Sequence, residues 1–515
     1  MKNAGQAPGR LERLARSGER AYEWLMTGRR ADVAVLGIIL LVAMHSFLLI
    51  GRRALWFDEI ISFYNLRSIQ DSSVLEMLAR GGDMSPPMLY WVAKAAGRVL
   101  GVSEFLFRYL SALFGCGLLW IVYVLIRGWA GRMAGCIAVL GLCHTAALMY
   151  FVEGRPYAMF SLFIALAALG WDRSTGARRM LAIHGMAVAA CLAVATHYYA
   201  VFVLVPLSLA QCARDWPRRR PDWPVWAALV SPVVALAWHL PLIAASTKYY
   251  GEHHWQATLA EPLPEIYRGL FDGLGVPVVL LLVLYWISKG DGAGKSEGRL
   301  PAPVLLLIAG FLLLPAGGAL AAKMTGSAVV MRYVLPGVIG MAAAVAVAYS
   351  WRPLAPAAGF VLLVLCVASL GRQIRMEWLH NQKPAVSFDW LRANKAAFTG
   401  PVLVSDGHLF LLLYHYRDRE RLPFVSYPAS AEMELRYLGT SEFLLNLQAT
   451  AHAEPALPFR PWVRPQAGPW RFQVLRKRGV PTWELAETIR LGGTAKLELA
   501  GDGFELFNVE IPPGR

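Results

Sequence analysis

The sequence predicts a polytopic α-helical membrane protein that ends in a small α/β domain. Of its 515 residues, 56% are hydrophobic and only 17% are charged, whereas soluble globular chains carry roughly 25% charged residues. The apolar residues form runs about twenty residues long, the length that crosses about 30 Å of hydrocarbon. From about Arg372 these runs shorten and prolines multiply. This pattern excludes a secreted enzyme, a nucleic-acid-binding domain and a disordered scaffold.

Hydropathy over windows of about nineteen residues predicts about eleven transmembrane helices. The stretch before the first span is long, polar and followed by no cleavage pattern, so it does not read as a signal peptide. We expect a basic N-terminal segment over 1–31 and a transmembrane domain over 32–371. The predicted spans are 32–50, 107–126, 133–150, 157–171, 180–196, 199–213, 225–244, 271–287, 301–320, 333–350 and 355–371.

Basic residues predict how these spans are oriented. Six arginines precede the first span, and every second loop carries further arginines or lysines. The positive-inside rule therefore places the N-terminus and these loops in the cytoplasm. The long loop over 51–106 and the C-terminal segment over 372–515 then lie outside, which predicts an external C-terminal domain. The net charge of +15 is in this interpretation a consequence of topology.

The C-terminal segment has the pattern of a small α/β domain. PVLVSD, AKLELA and GFELFNVEIP read as strands, with a turn at Gly501, Asp502 and Gly503 between the last two. HLFLLLYHY reads as a helix. At about 140 residues the segment has the size of a domain.

Cysteines and glycines add little. All six cysteines lie in or beside apolar runs without metal-ligand spacing, so we expect neither a disulfide framework nor a zinc site. The segment GDGAGKSEG from Gly290 lacks the spacing and the flanking strand of a phosphate-binding loop.

The loop over 51–106 carries helix signals. Ser73 with Glu76 has the spacing of a capping box. Ser85 before Pro86 and Pro87 resembles an N-cap, and Gly101 is placed to end the helix that follows. We therefore expect two short helices, the second with N–H groups that could face an anion.

Two adjacent carboxylates follow the first span. Asp58 and Glu59, in Trp56-Phe57-Asp58-Glu59, lie where a charge needs a function or a route to water. They could serve as a general base and a neighbour that holds a metal or the acceptor. The alternative is that Asp58 caps the following helix and Glu59 interacts with its dipole.

Further polar residues fall at the predicted external ends of later spans. Glu153 and Arg155 could bind a metal or acceptor and a lipid phosphate, or form a snorkelling pair at the interface. His197 could be a ligand or a solvated loop residue. Their convergence with Tyr157, Tyr198, Arg332 and Tyr333 on one membrane face suggests a site.

The order of these motifs resembles a known family. The series is WFDE, SPPMLYW, VSEFLFRYLSALFG, MYFVEGRPYAMF, THYYAVFVLVP and RYVLPG, over roughly residues 50 to 340. It resembles the bacterial branch of the polyprenyl-phosphate-sugar-dependent glycosyltransferases in the dolichyl-phosphate-mannose-protein mannosyltransferase superfamily. The resemblance implies the C-type glycosyltransferase fold, which the lipid A aminoarabinose transferase also has.

The resemblance implies a role for each matching residue. Asp58 matches the catalytic base, with Glu59 beside it, and Glu153 matches a metal or acceptor contact. Arg155, Tyr157, His197, Tyr198, Arg332 and Tyr333 match positions near the donor phosphate. Pro86 and Pro87 match the paired prolines of the family, although Ser85 replaces the usual His or Lys.

The implied reaction is inverting transfer of a sugar from a polyprenyl-phosphate donor to a hydroxyl of a lipid, glycan or protein at the periplasmic face. A divalent cation, Mg²⁺ or Mn²⁺, is compatible with it. Expected partners are this donor, the acceptor and membrane lipids, and no nucleic acid. The alternatives are a flippase or transporter of lipid-linked sugars, which would carry charges within its spans, an O-antigen-type polymerase or ligase, and a membrane scaffold.

Overall fold

The structure, a computed structural model, describes residues 10–250, 261–287, 300–325, 329–380, 388–466 and 468–513. The glycine-rich segment from Gly290 lies outside these residues. The chain divides into two compact units. Unit 1 comprises Met1–Ile50, Arg108–His239 and Ala260–His380, and unit 2 comprises Gly51–Phe107, Leu240–Leu259 and Asn381–Arg515.

Helices form almost all of unit 1, because its long apolar runs satisfy their backbone groups internally. Its helices are α1 (Arg10–Met26), α2 (Arg30–Ile50), α6 (Leu106–Cys143), α7 (Ala147–Tyr150), α8 (Tyr157–Arg173), α9 (Arg179–Thr196), α10 (Leu204–Asp215), α11 (Trp223–Tyr250), α12 (Leu263–Phe271), α13 (Gly275–Ile287), α14 (Ala302–Leu312), α15 (Leu314–Thr325), α16 (Gly337–Trp351) and α17 (Pro356–His380). Short 3₁₀ turns at Tyr198–Val203 and Met331–Val334 precede α10 and α16. α11 continues past the boundary into unit 2.

Multi-pass membrane character is confirmed, whereas eleven spans stay a prediction. Within the described residues six helices are long and apolar enough to cross a membrane, or seven if α14 and α15, bent by 56°, form one span. α6 is kinked at Ala130 and Gly131, where the glycine has φ +84°, so it covers two predicted spans. Several other predicted spans correspond to shorter or interrupted helices.

Close packing in unit 1 depends on small residues. At Gly170 of α8, a Cβ atom would lie 2.9 Å from Met186 Cα of α9, a distance that Cβ atoms do not tolerate. Glycine here lets the two backbones approach, as small residues do between membrane helices.

The predicted loop over 51–106 is mostly helical. It forms α3 (Phe57–Ser68), α4 (Val74–Ala79) and α5 (Met88–Leu100). The Ser73 side chain accepts a hydrogen bond from Glu76 N–H and caps α4, and Gly101 ends α5 with φ +83°. The prediction that Ser85 is the N-cap is wrong: Pro87 is the N-cap, and α5 begins at Met88. Ser85 lies in the preceding loop, where its N–H donates to Asp83 Oδ1 (2.8 Å).

The C-terminal segment is an α/β domain, as predicted. A six-stranded sheet has the order β3-β2-β1-β4-β6-β5. Strands β1 to β4 pair in parallel, whereas β6 pairs antiparallel with β4 and β5. Its elements are α18 (Asp389–Ala393), β1 (Val402–Leu403), α19 (Gly407–Glu420), β2 (Val425–Ala429), α20 (Ala431–Leu438), α21 (Glu442–Ala451), β3 (Phe459–Pro461), β4 (Trp470–Lys477), α22 (Trp483–Arg490), β5 (Thr494–Gly501) and β6 (Phe504–Ile511).

Within unit 2, α3 packs on α19. Leu55 N–H donates to the Tyr416 hydroxyl (2.9 Å), and the Tyr64 hydroxyl lies 3.1 Å from His415 Nδ1. His415 Nε2 lies 2.9 Å from Glu104 Oε2, and this hydrogen bond lowers the pKa of the Glu104 carboxyl. The C-terminal domain therefore fixes the helix that carries Asp58.

Candidate active site

In the first turn of α3, the two adjacent carboxylates have different surroundings. Trp56 is the N-cap and Asp58 is the second residue of the helix, so the alternative in which Asp58 caps α3 is wrong. Glu59 is the capping partner: its Oε2 accepts from the Trp56 N–H at 3.2 Å, and the residue is 3% exposed. The Asp58 side chain is half-buried and makes no hydrogen bond or ion pair with other described residues. Asp58 is thus available for chemistry.

Asp58, Ser62 and Asn65 share one face of α3, because residues four and three positions apart lie above one another on a helix. The loop before α5 packs against this face. Asn65 Nδ2 donates to the Gly82 carbonyl oxygen (2.7 Å), and the Tyr90 hydroxyl lies 3.4 Å from Ser62 Oγ. These contacts hold the middle of α3 against the loop before α5 and against α5 itself.

This loop supplies a further carboxylate, Asp83, that the sequence reasoning missed. The Tyr90 hydroxyl donates to Asp83 Oδ2 at 2.7 Å, while the Ser85 N–H occupies Oδ1. Both contacts hold the carboxylate in place. The only signal in the sequence is an acidic residue three positions before Pro86, which does not indicate that it would face α3.

Pro86 and Pro87 are buried and lead directly into α5. The Pro87 carbonyl oxygen accepts the first hydrogen bond of the helix, from Trp91 N–H at 3.0 Å. With φ fixed by their rings, the prolines set the path of the loop that presents Asp83.

Unit 1 carries the predicted basic site in the turn between α7 and α8. Glu153 and Arg155 are 6% and 8% exposed, so they do not extend outward as a snorkelling pair would. The Arg155 N–H donates to the Glu153 carbonyl oxygen (2.8 Å), and Ser111 Oγ of α6 donates to the Arg155 carbonyl oxygen (3.2 Å). Gly115 of α6 leaves room for the Phe151 ring beside this turn.

Tyr157, the first residue of α8, is where these charges converge. It is 2% exposed and follows Arg155 by two residues. Its ring lies 5.9 Å from that of His197, which in turn lies 5.0 Å from the ring of Tyr333, the neighbour of Arg332. Its ring lies 5.1 Å from that of Tyr150. The structure thus brings together the two arginines that the sequence places 177 positions apart.

His197 lies inside an aromatic cage next to Tyr157. Its ring stacks on Phe160 (5.0 Å) and contacts Tyr333 (5.0 Å) and Tyr157 (5.9 Å). It is 8% exposed, so it is not a solvated loop residue. Nδ1 accepts a hydrogen bond from Tyr199 N–H (3.3 Å), which leaves the proton of a neutral imidazole on Nε2.

The remaining predicted residues lie around this cage. The Arg332 guanidinium is 5.7 Å from the centre of the Tyr333 ring, close enough for a cation–π contact. Tyr198 packs edge-on against His239 of α11, with the ring centres 5.8 Å apart.

Among the described residues, no group of three or more His, Cys, Asp or Glu side chains is arranged to hold a metal ion. Glu153 as a metal ligand stays a prediction.

Comparisons with known proteins identify the fold. Residues 84–244, about a third of the chain, match the model of the dolichyl-phosphate-mannose-protein mannosyltransferase family. No curated protein matches the chain by sequence.

Solved structures match nearly the whole chain. ArnT from Cupriavidus metallidurans bound to undecaprenyl phosphate is 14% identical, with a TM-score of 0.52 over 94% of this chain and 98% of ArnT. Its apo structure is also 14% identical, with a TM-score of 0.53 over 95% of this chain and 98% of ArnT. The oligosaccharyltransferase of Archaeoglobus fulgidus is 12% identical over 85% of this chain and 68% of its own, but its TM-score of 0.42 is too low to support an argument.

The resemblance noted in the sequence and the predicted fold are therefore confirmed. The family model matches part of the chain, and the solved structures show that the chain as a whole has the fold of ArnT, a C-type glycosyltransferase fold.

Proposed function

We propose that the protein transfers a sugar from a polyprenyl-phosphate donor to an acceptor hydroxyl, with inversion at the anomeric carbon, at the periplasmic face of the inner membrane. The acceptor is a lipid, glycan or protein. The observation that carries the proposal is Asp58, a half-buried carboxylate at a helix start with no hydrogen-bond or ion-pair partner among the described residues, beside a Glu59 that is occupied in capping.

The step needs little covalent chemistry from the protein. Asp58 takes the proton of the acceptor hydroxyl while its oxygen attacks the anomeric carbon, and the bond from that carbon to the phosphate oxygen breaks. The polyprenyl phosphate leaves with the electron pair of that bond. Since the donor already carries a good leaving group, positioning and stabilisation of charge supply most of the catalysis.

The cage in unit 1 has the chemistry to bind the phosphate. Arg155 and Arg332 supply guanidinium groups that can contact phosphate oxygens in pairs, and the segments that carry them meet at the rings of Tyr157, His197 and Tyr333. His197 offers an Nε2 proton when neutral. Undecaprenyl phosphate is bound in the matching ArnT structure, which supports a lipid phosphate of this class as the ligand.

Asp83 is proposed as the residue that orients the acceptor beside Asp58. Its two oxygens are held by Ser85 and Tyr90, so its position is fixed before any ligand binds. Glu153 keeps its proposed role as an acceptor or metal contact in unit 1.

Binding of undecaprenyl phosphate to the purified full-length protein tests the phosphate site. Because an ammonium group cannot reproduce a paired guanidinium contact, Arg155→Lys and Arg332→Lys should each weaken binding about tenfold, roughly 1.4 kcal/mol. Arg268→Lys is the matched control, since Arg268 is exposed and pairs with Glu265 on its own helix. Unchanged affinity in both variants would show that these arginines have a structural role only.

A further inference from the structure

A cavity in the connection from α10 to α11 contains none of the residues proposed for catalysis. Its volume is about 600 Å³. Tryptophan rings and guanidinium groups dominate its lining, which includes Trp216, Trp223, Trp226, Arg219 and Arg220. The combination of guanidinium groups and tryptophan rings points to a ligand whose anionic group is attached to an apolar part.

The acidic residues of this connection are already occupied within the fold. Asp215, 8% exposed, accepts from the Trp226 indole N–H (2.8 Å), the Gln211 side-chain amide (2.9 Å) and the Asp222 N–H (3.2 Å). Asp222 forms an ion pair with Arg179. Neither carboxylate forms an ion pair with Arg219 or Arg220 at the rim of the cavity.

The two arginines at the rim belong to a run of three consecutive arginines. Arg218, Arg219 and Arg220 are exposed, and among the described residues their guanidinium groups make no hydrogen bond or ion pair. Arg214 differs, because its guanidinium stacks on the Trp171 ring at 3.6 Å and bonds the Trp171 carbonyl oxygen. The chain thus uses Arg214 internally and leaves the charges of Arg219 and Arg220 at the cavity.

The backbone at Arg219 strengthens the case for a ligand. Its φ of +51° lies in the left-handed region, where a side chain other than glycine is uncommon. Glycine would adopt this conformation without cost, so an arginine here keeps its charge at the expense of backbone strain.

Two tryptophans place the cavity at the membrane boundary. Trp216 and Trp223 are 85% and 72% exposed, and they lie at the ends of α10 and α11. α11 is one of the helices able to cross a membrane. Because tryptophan prefers the boundary between hydrocarbon and water, this end of the two helices lies at the level of the lipid head groups.

We propose that this cavity binds the phosphate diester head group of an anionic phospholipid. Arg219 and Arg220 contact the phosphate, and the tryptophan rings pack on the glycerol and the first methylene groups. A soluble phosphate anion shares the charge but offers nothing for the rings, so the lining favours the lipid. If these arginines only set the orientation of the protein in the membrane, by the positive-inside rule, the cavity would bind neither the lipid nor the phosphate anion tightly.

Native mass spectrometry of the full-length protein in detergent, titrated with phosphatidylglycerol, tests the proposal. The variant is Arg219→Gly/Arg220→Gln, since glycine suits the backbone at 219 and the fold is retained. The control, Arg173→Gln/Arg178→Gln, removes two exposed arginines from the neighbouring connection. A basic residue near an anionic lipid is worth roughly fivefold in affinity, so the variant should bind about 25-fold more weakly, whereas the control stays within about twofold.

Three results would overturn the proposal. An equal loss in the control would mean general electrostatic attraction. Unchanged affinity in the variant would mean that the arginines only set orientation. Equal binding of phosphatidylcholine, or displacement of the lipid by inorganic phosphate at similar concentration, would mean that the site does not select an anionic lipid.

Discussion

Replacing Asp58 by asparagine should separate catalysis from stability at the start of α3. Asparagine has nearly the same shape but cannot take a proton. If Asp58 is the general base, the transfer rate should fall by roughly 10²-fold or more, because positioned bases contribute factors of this size. Folding and donor binding should persist.

The structure sets how large a stability change is expected. Asp58 has no hydrogen-bond or ion-pair partner among the described residues to lose, so only its favourable interaction with the helix dipole disappears. That interaction is typically worth about 0.3–1 kcal/mol. A 10²-fold loss of rate corresponds to about 2.7 kcal/mol in the barrier. Partial unfolding therefore cannot account for the predicted loss.

Glu59 provides the matched comparison. Glu59→Gln retains an oxygen for the Trp56 N–H and should keep most of the activity. Glu59→Ala removes this cap and should cost about 1 kcal/mol of stability. The assay measures transfer of labelled sugar from undecaprenyl-phosphate donors, alongside thermal unfolding. Full activity in the double variant Asp58→Asn/Glu59→Gln would refute the assignment of Asp58 as the general base. Loss of activity in Glu59→Gln alone would assign that role to Glu59 instead.

Three further predictions concern other parts of the chain. Burial raises the pKa of Glu484 to about 7, so the folded state holds its proton more tightly than the unfolded chain does, and its contribution to stability declines as pH rises from about 4.5 to about 7. Glu484→Gln, which keeps an acceptor for Ser405, should therefore stabilise the protein by about 1–3 kcal/mol at pH 8 and have little effect at pH 4.5, as thermal unfolding would show; equal effects at both pH values would contradict this. Gly115→Ala would place a methyl group against the Phe151 ring, and we expect weaker binding of undecaprenyl phosphate because the turn that holds Arg155 must shift; unchanged binding would show that the turn adjusts freely. A reporter fused after Arg515 should be active only in the periplasm, and activity in the cytoplasm would reverse the predicted topology.

Local patterns predicted most of the architecture. Apolar runs indicate membrane helices, because a membrane-spanning helix requires only sufficient length and an apolar composition. Alternation of apolar and polar residues indicates strands such as β5 and β6. Helix starts were harder. Aspartate favours the N-cap position, which makes capping an alternative role for Asp58. The structure places Trp56 there, and the Glu59 carboxylate three residues later accepts from the Trp56 N–H.

The candidate site was predicted only in part, because sequence does not show which loops face each other. Arg155, His197 and Arg332 were predicted because their short motifs resemble those of a known family. In the folded chain, helix packing brings the segments that carry them together at the aromatic cage. Asp83 carries no motif of its own. Its orientation depends on a tyrosine seven residues later and on contacts with α3, which only the folded chain reveals.

The proposed activity is cleavage of a lipid-linked sugar rather than its transport across the bilayer. Purified protein in vesicles, supplied with a panel of undecaprenyl-phosphate hexoses and pentoses, should release undecaprenyl phosphate in step with a glycosylated product of inverted anomeric configuration. Asp58→Asn should slow both by roughly 10²-fold or more. Movement of an intact lipid-linked sugar across the bilayer, with no release of undecaprenyl phosphate and no effect of the substitution, would contradict the account and favour a flippase.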